Sequence, residues 1–107
     1  MIREAEPARH ERPAIDEAAL KAARAADKLL DAALDRGVQR WINQFAMVPD
    51  QLRDAGLKEL RTVCLRARAA YGAKDSIRDY LAPDVTEPFL VELDRLLRLL
   101  AREAAER

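Results

Sequence analysis

This chain predicts an all-α fold: a small helical bundle made of one long N-terminal helix and two to three further helices. Three observations carry that reading. Apolar residues recur every three to four positions over most of the length, as on one face of a helix. Alanine, the strongest helix former, is the commonest residue, at 21 of 107. No run of alternating apolar and polar residues bounded by turn residues, the mark of a half-buried strand, competes anywhere.

The elements follow in order. Residues 1–12 alternate charges around Pro7 and are expected to form a mobile tail, leaving 13–107 as a single helical domain. Pro13 suits a first helical turn, and Asp16 and Glu17 suit its positive end. Ile15, Ala19, Ala22, Ala26, Leu29, Leu30 and Ala33 then share one face. Leu34, Val38, Trp41 and Phe45 carry that stripe on around the cylinder. Gly37 reads either as a cap that ends the helix or as an interior glycine, which costs about 1 kcal/mol relative to alanine. The periodicity resumes at once, so the spacing favours one helix over 14–46, with any bend at Gly37.

Val48 and Pro49 end that helix, because a residue before proline avoids the helical region, and Pro49 opens the next. The second helix is expected to run to Tyr71 with a core face of Gly56, Leu60, Val63, Cys64, Ala67 and Tyr71, with Leu57 at the margin. Gly72 is its stop. The stretch AKDSIRDYLA reads as a short third helix capped by Asp75 or Ser76. The tripeptide PDV reads as a turn, and Thr86 as the cap of a fourth helix through Glu87 and Pro88. That last helix holds six leucines between 90 and 100.

Composition narrows the function. There are 19 acidic and 19 basic side chains, and this balance argues against a general nucleic-acid binder. One cysteine, Cys64, leaves no internal disulfide framework and fits a reducing compartment. No apolar run approaches the ~20 residues needed to span a bilayer. The opening MIREAEPARHERP has no apolar core of a secretory signal, so a cytoplasmic location is expected.

Catalytic residue types are scarce. His10 lies in the expected tail and Ser76 at a helix cap, so a Ser/His/Asp or Cys/His site needs the tail to fold back. Cys64 sits on an apolar face and reads as a small buried hydrophobe. No CxxC, HxxxH or Glu-x-x-His occurs, and Gly37, Gly56 and Gly72 are too scattered for a phosphate loop. No catalytic, cofactor or metal residues are therefore assigned, and no enzyme activity is expected. Asp27, Asp31 and Asp35 form a ridge of like charges that repel slightly. It reads as a solvated face relieved by Arg24, Lys28 and Arg36, or as a contact for a basic partner. Residues 74–100 have the outline of a helix–turn–helix, which keeps a small DNA-binding regulator as the alternative function. Its second helix, however, opens with TEPFLVELD, acids and apolars where base-reading side chains belong.

The bulky residues are concentrated at one point. Trp41, Ile42, Phe45, Met47 and Val48 lie between Gly37 and Pro49. Trp41 and Ile42 cannot both point squarely into one narrow core, and Val91 and Leu99 fall outside the main face of the last helix. Surplus apolar faces on a neutral chain call for a partner. The cluster Trp41, Ile42, Phe45, Met47 and Val48 is the expected partner-binding set, and Ala19, Ala22, Ala26 and Leu99 are the expected self-association residues of a homodimer.

Through RWINQFAMVPDQLRDAGLKELRTVC and YGAKDSIRDYLAPDV the chain resembles the QslA-type antiactivators, small helical proteins of bacterial quorum sensing. The resemblance implies an all-helical fold and a protein partner, a LuxR-type transcriptional activator of the LasR kind. It implies that binding blocks the activator's dimerisation and so its hold on DNA, without direct nucleic-acid or membrane contact and without a cofactor.

Overall fold

The computed structural model describes residues 7–106. Five α-helices occupy Pro13–Arg36 (α1), Gln39–Phe45 (α2), Val48–Asp54 (α3), Leu57–Arg68 (α4) and Pro83–Ala105 (α5). Single 3-10 turns lie at Arg9–Glu11, Ala69–Tyr71 and Ile77–Asp79, and no strand occurs among the described residues. The chain is a small all-α helical bundle.

Helices α1 and α5, each about 35 Å long at 1.5 Å per residue, form the spine. They are antiparallel. Arg12 at the start of α1 pairs with Glu103 near the end of α5, and Lys21 and Arg24 lie across from Pro88 and Glu92. Helix α3 packs on the other flank of α1, and α4 packs on α5. Because α1 is touched from two sides, its buried face is wider than one stripe. Ala18 and Ala23 join Ala19, Ala22, Ala26 and Ala33 in the interior. Small side chains let the neighbouring helices come close, while Phe89, Leu93, Leu96 and Leu100 of α5 supply the bulk.

The expected helix over 14–46 is two helices. Gly37 takes the left-handed conformation at φ 65°, ψ 30° and ends α1 at Arg36. The Gly37 amide donates to the Leu34 carbonyl and the Val38 amide to the Ala33 carbonyl, both at 3.1 Å, the paired bonds of a Schellman cap. Only glycine adopts this backbone freely; another residue pays about 1–2 kcal/mol there. Periodicity resumed after Gly37 because α2 packs into the same core, not because the helix continues.

The expected helix over 49–71 is also broken. Ala55 and Gly56 are extended, so α3 and α4 meet at an angle, and exposed Gly56 is an N-cap instead of a core residue. The break lets both Leu52 and Leu57 be buried. In one straight helix they would point about 140° apart.

The expected third helix is a single 3-10 turn at Ile77–Asp79. Ser76, not Asp75, caps it, its Oγ accepting from the Arg78 amide at 3.2 Å. Helix α5 starts earlier than Thr86. Pro83 occupies its first position, so PDV is helical and Thr86 lies one turn inside. Pro88 falls within the helix and offers no amide to the Asp84 carbonyl.

Residues 1–6 of the expected tail lie outside the described residues. From Arg9 onward the chain is tied to the bundle. The Arg9 guanidinium donates to the carbonyls of Leu52 at 2.8 Å and Ala55 at 3.0 Å, and pairs with Asp16 at 2.9 Å. A cation on the last carbonyls of α3 satisfies groups that the helix itself leaves unpaired.

Candidate interaction surface

Cys64 and Ser76 serve the fold. Cys64 is fully buried, and burial pushes its thiol up to about 12, so it stays protonated and is no nucleophile. Ser76 is a cap. His10 is exposed on the first 3-10 turn, whose segment packs against α3 and α5 through Arg9 and Arg12. Among the described residues, no three His, Cys, Asp or Glu side chains gather where they could hold a metal ion. No described helix is long and apolar enough to cross a membrane.

The expected partner-binding cluster is split. Trp41 is 1 % exposed and Phe45 and Val48 are buried as well. Helix α2 presents Trp41 and Phe45 four residues apart on its inner face. Trp41 packs edge-on to Tyr80 at 6.0 Å, and Phe45 packs edge-on to Phe89 at 5.8 Å. The Arg40 guanidinium covers the Trp41 ring at 4.6 Å. These three residues join α2, α3 and α5 and present no surface in this state. The indole Nε1 of Trp41 finds no acceptor among the described residues. Ile42 is half-buried against the core, and Met47 stands 62 % exposed. Met47 borders a hollow of about 190 Å³ whose rim is Asn43, Gln44, Gln51 and Arg66.

The expected self-association set is corrected in the same way. Ala19, Ala22 and Ala26 are completely enclosed within the chain itself. Leu99 alone reaches the surface, half-buried beside Arg12 and Ile15. The acidic ridge also finds its relief elsewhere: Asp27 pairs with Arg53 of α3, not with Arg24, Lys28 or Arg36. The outline of a helix–turn–helix over 74–100 does not form, since one 3-10 turn stands where its first helix belongs.

A groove of about 470 Å³ lies between α1 and α5. Its floor is Ala25, Val85 and Pro88, and Val91 stands at its edge, 55 % exposed. Lys21, Arg24 and Lys28, spaced by three and four residues on one face of α1, form one wall. Asp84 and Glu92 stand on the α5 side. Lys21 pairs with Glu17 at 3.4 Å. Arg24, Lys28 and Asp84 have no partner among the described residues, and one Glu92 oxygen is shut off from water without a donor. This groove left no trace in the sequence reading. Its two walls come from segments some sixty residues apart, and nothing local says that they meet.

No protein-family model, curated protein or solved structure matches the chain. The fold and surface define a class: a small all-α bundle whose cysteine and serine are enclosed, with an open groove along its spine and large apolar side chains, Met47 and Val91 among them, on its surface.

Proposed function

We propose that the protein is a small protein-interaction inhibitor, an antiactivator. It binds a LuxR-type quorum-sensing transcriptional activator and blocks the dimerisation that the activator needs to hold DNA. The observation that carries the interaction reading is the Met47 surface. A large apolar side chain mostly in water is ringed by Asn43, Gln44, Gln51 and Arg66. Methionine and arginine with few acids or lysines is the composition of an interface core. The identity of the partner comes from the sequence resemblance. With Cys64 and Ser76 committed to the fold, inhibition acts by occupancy: covering an activator's dimer surface weakens its grip on two half-sites without contact to DNA. The surplus of exposed apolar side chains also supports self-association as a homodimer.

Operator binding by a purified LuxR-type activator tests this. Added protein is expected to dissociate activator dimers and release operator DNA. Met47→Glu, which changes no core residue, is expected to weaken that inhibition by at least about tenfold with unchanged helicity. An activator that stays dimeric on its operator at saturating protein rejects the reading. So does a complex of activator dimer, this protein and DNA migrating together.

A further inference from the structure

The α1/α5 groove carries opposite charges on its two walls, and each wall keeps charges that find no partner among the described residues. Arg24 and Lys28 on one side and Asp84 on the other have no partners among the described residues, and an oxygen of Glu92 is buried without a donor. An unpaired buried carboxylate oxygen is costly until a donor reaches it. Between the walls lies an apolar floor, edged by Val91. A surface that is positive along one side and negative along the other is complementary to itself.

We infer that two copies of this chain pair through the α1/α5 groove, about a two-fold axis that runs along the groove. This rests on the self-association proposed above and adds the face and the axis. A two-fold contact must bring the same patch of both copies together. Only two kinds of axis lying in the contact plane follow the helices. An axis across the groove sets α1 on α1 and α5 on α5, placing Lys21, Arg24 and Lys28 against their own copies. An axis along the groove sets α1 of one copy on α5 of the other, antiparallel. Arg24 and Lys28 then face Asp84 and Glu92 of the second copy, twice over. Like charges set against each other across an interface repel, so the second axis is selected. The size is adequate as well. The groove lies within a longer face: α1 and α5 together are two helices wide and about 35 Å long, on the order of 700 Å² per copy, close to the ~800 Å² typical of a stable contact. The product is a four-helix bundle of two stacked α1/α5 pairs.

Light scattering on charge-reversed chains tests this. Lys21→Glu/Arg24→Glu/Lys28→Glu makes both walls acidic, and Asp84→Lys/Glu92→Lys makes both walls basic. The unaltered chain is expected to be a dimer that loosens with added salt. Each altered chain alone is expected to dimerise at least about tenfold more weakly, and an equimolar mixture is expected to recover a mixed dimer. Recovery only on mixing separates contacts between copies from contacts within one. If a triple change lowers helicity, Val91→Asp, at a side chain already mostly in water, reads the same face and is expected to weaken the dimer. Altered chains that dimerise as tightly as the original overturn the face. Weakened, folded chains whose mixture stays monomeric overturn the pairing of α1 on α5. An unaltered chain that is monomeric at every concentration overturns self-association itself, whatever the activator assay shows.

Discussion

At the scale of single residues, the aromatic cluster shows how one side chain can have only one main task. Trp41 is the largest fully buried side chain and touches rings from α2 and the segment before α5. Removing it deletes contacts on every side and leaves a cavity. Trp41→Ala is expected to cost about 3–5 kcal/mol, read as a shift in the denaturant midpoint. That is a large part of the stability of a typical small domain. Lost inhibition in this variant therefore reports unfolding, which is why Met47 is the better probe of binding. A loss below about 1 kcal/mol contradicts the burial. The sequence showed that these residues were bulky and clustered; it did not show which way each pointed. With α2 turning Trp41 and Phe45 inward, Ile42 falls to the margin, and Met47, just past the end of the helix, is left outside.

At the scale of elements, caps and joints decide where helices end. The joint before α5 is held by charge. Arg78, in the Ile77–Asp79 turn, donates to both oxygens of Glu87 at 2.8 and 3.0 Å, and the Thr86 hydroxyl lies 3.0 Å from the same carboxylate. These hydrogen bonds, Arg78 first, hold the Glu87 carboxyl below its ordinary value of 4.5. A folded-state value below the unfolded one means that the unfolded chain binds the proton more readily. The pair's contribution is thus present above about pH 4.5 and is lost as pH falls below that, through the folded value. The thermal midpoint of the original chain is expected to exceed that of Glu87→Gln at pH 6, with the gap closing toward pH 3. A gap that stays constant across that range excludes this linkage. Tyr71 ties the same joint from the α4 side, its buried hydroxyl donating to the Thr86 carbonyl at 2.6 Å. Thr86 itself, read from sequence as a cap, works from inside the helix. A threonine followed by Glu and Pro carries a cap signature, but Pro83 three residues earlier satisfies the same positional rule.

At the scale of the whole molecule, the N-terminal segment closes the bundle. Arg9 reaches α3 and Arg12 reaches α5, so one short stretch fastens elements more than forty residues away in sequence. The Arg9 side chain is only 10 % exposed and makes charged hydrogen bonds to two carbonyls. Arg9→Ala is expected to destabilise the fold by about 1–3 kcal/mol, and to raise hydrogen exchange at the end of α3 ahead of α5. Uniform exchange across α3 and α5 in that variant would falsify the local role of Arg9. The molecule is elongated, 52 × 23 × 22 Å, with the two long helices as its spine and the three short ones packed against them.

Helix content was readable from the chain because it depends on near neighbours: alanine's propensity, a period of three to four, and proline at helix starts. The N-terminal position of the long helix, the start of a helix at the Val48–Pro49 junction, the cap at Ser76 and the burial of Cys64 all follow from that local chemistry. Tertiary structure decided the rest. Gly37 can sit in a helix or cap one, and only the docking of Trp41 against Tyr80 and of Phe45 against Phe89 selects the cap. The alanine stripe of α1 fits a partner's helix or the chain's own, and only the packing of α5 and α3 on α1 encloses Ala19, Ala22 and Ala26. The charged groove depends on the return of α5 along α1, because its walls face each other only when α1 and α5 lie antiparallel. A periodic pattern records which residues share a face; which surface that face meets is set by contacts between residues far apart in the chain.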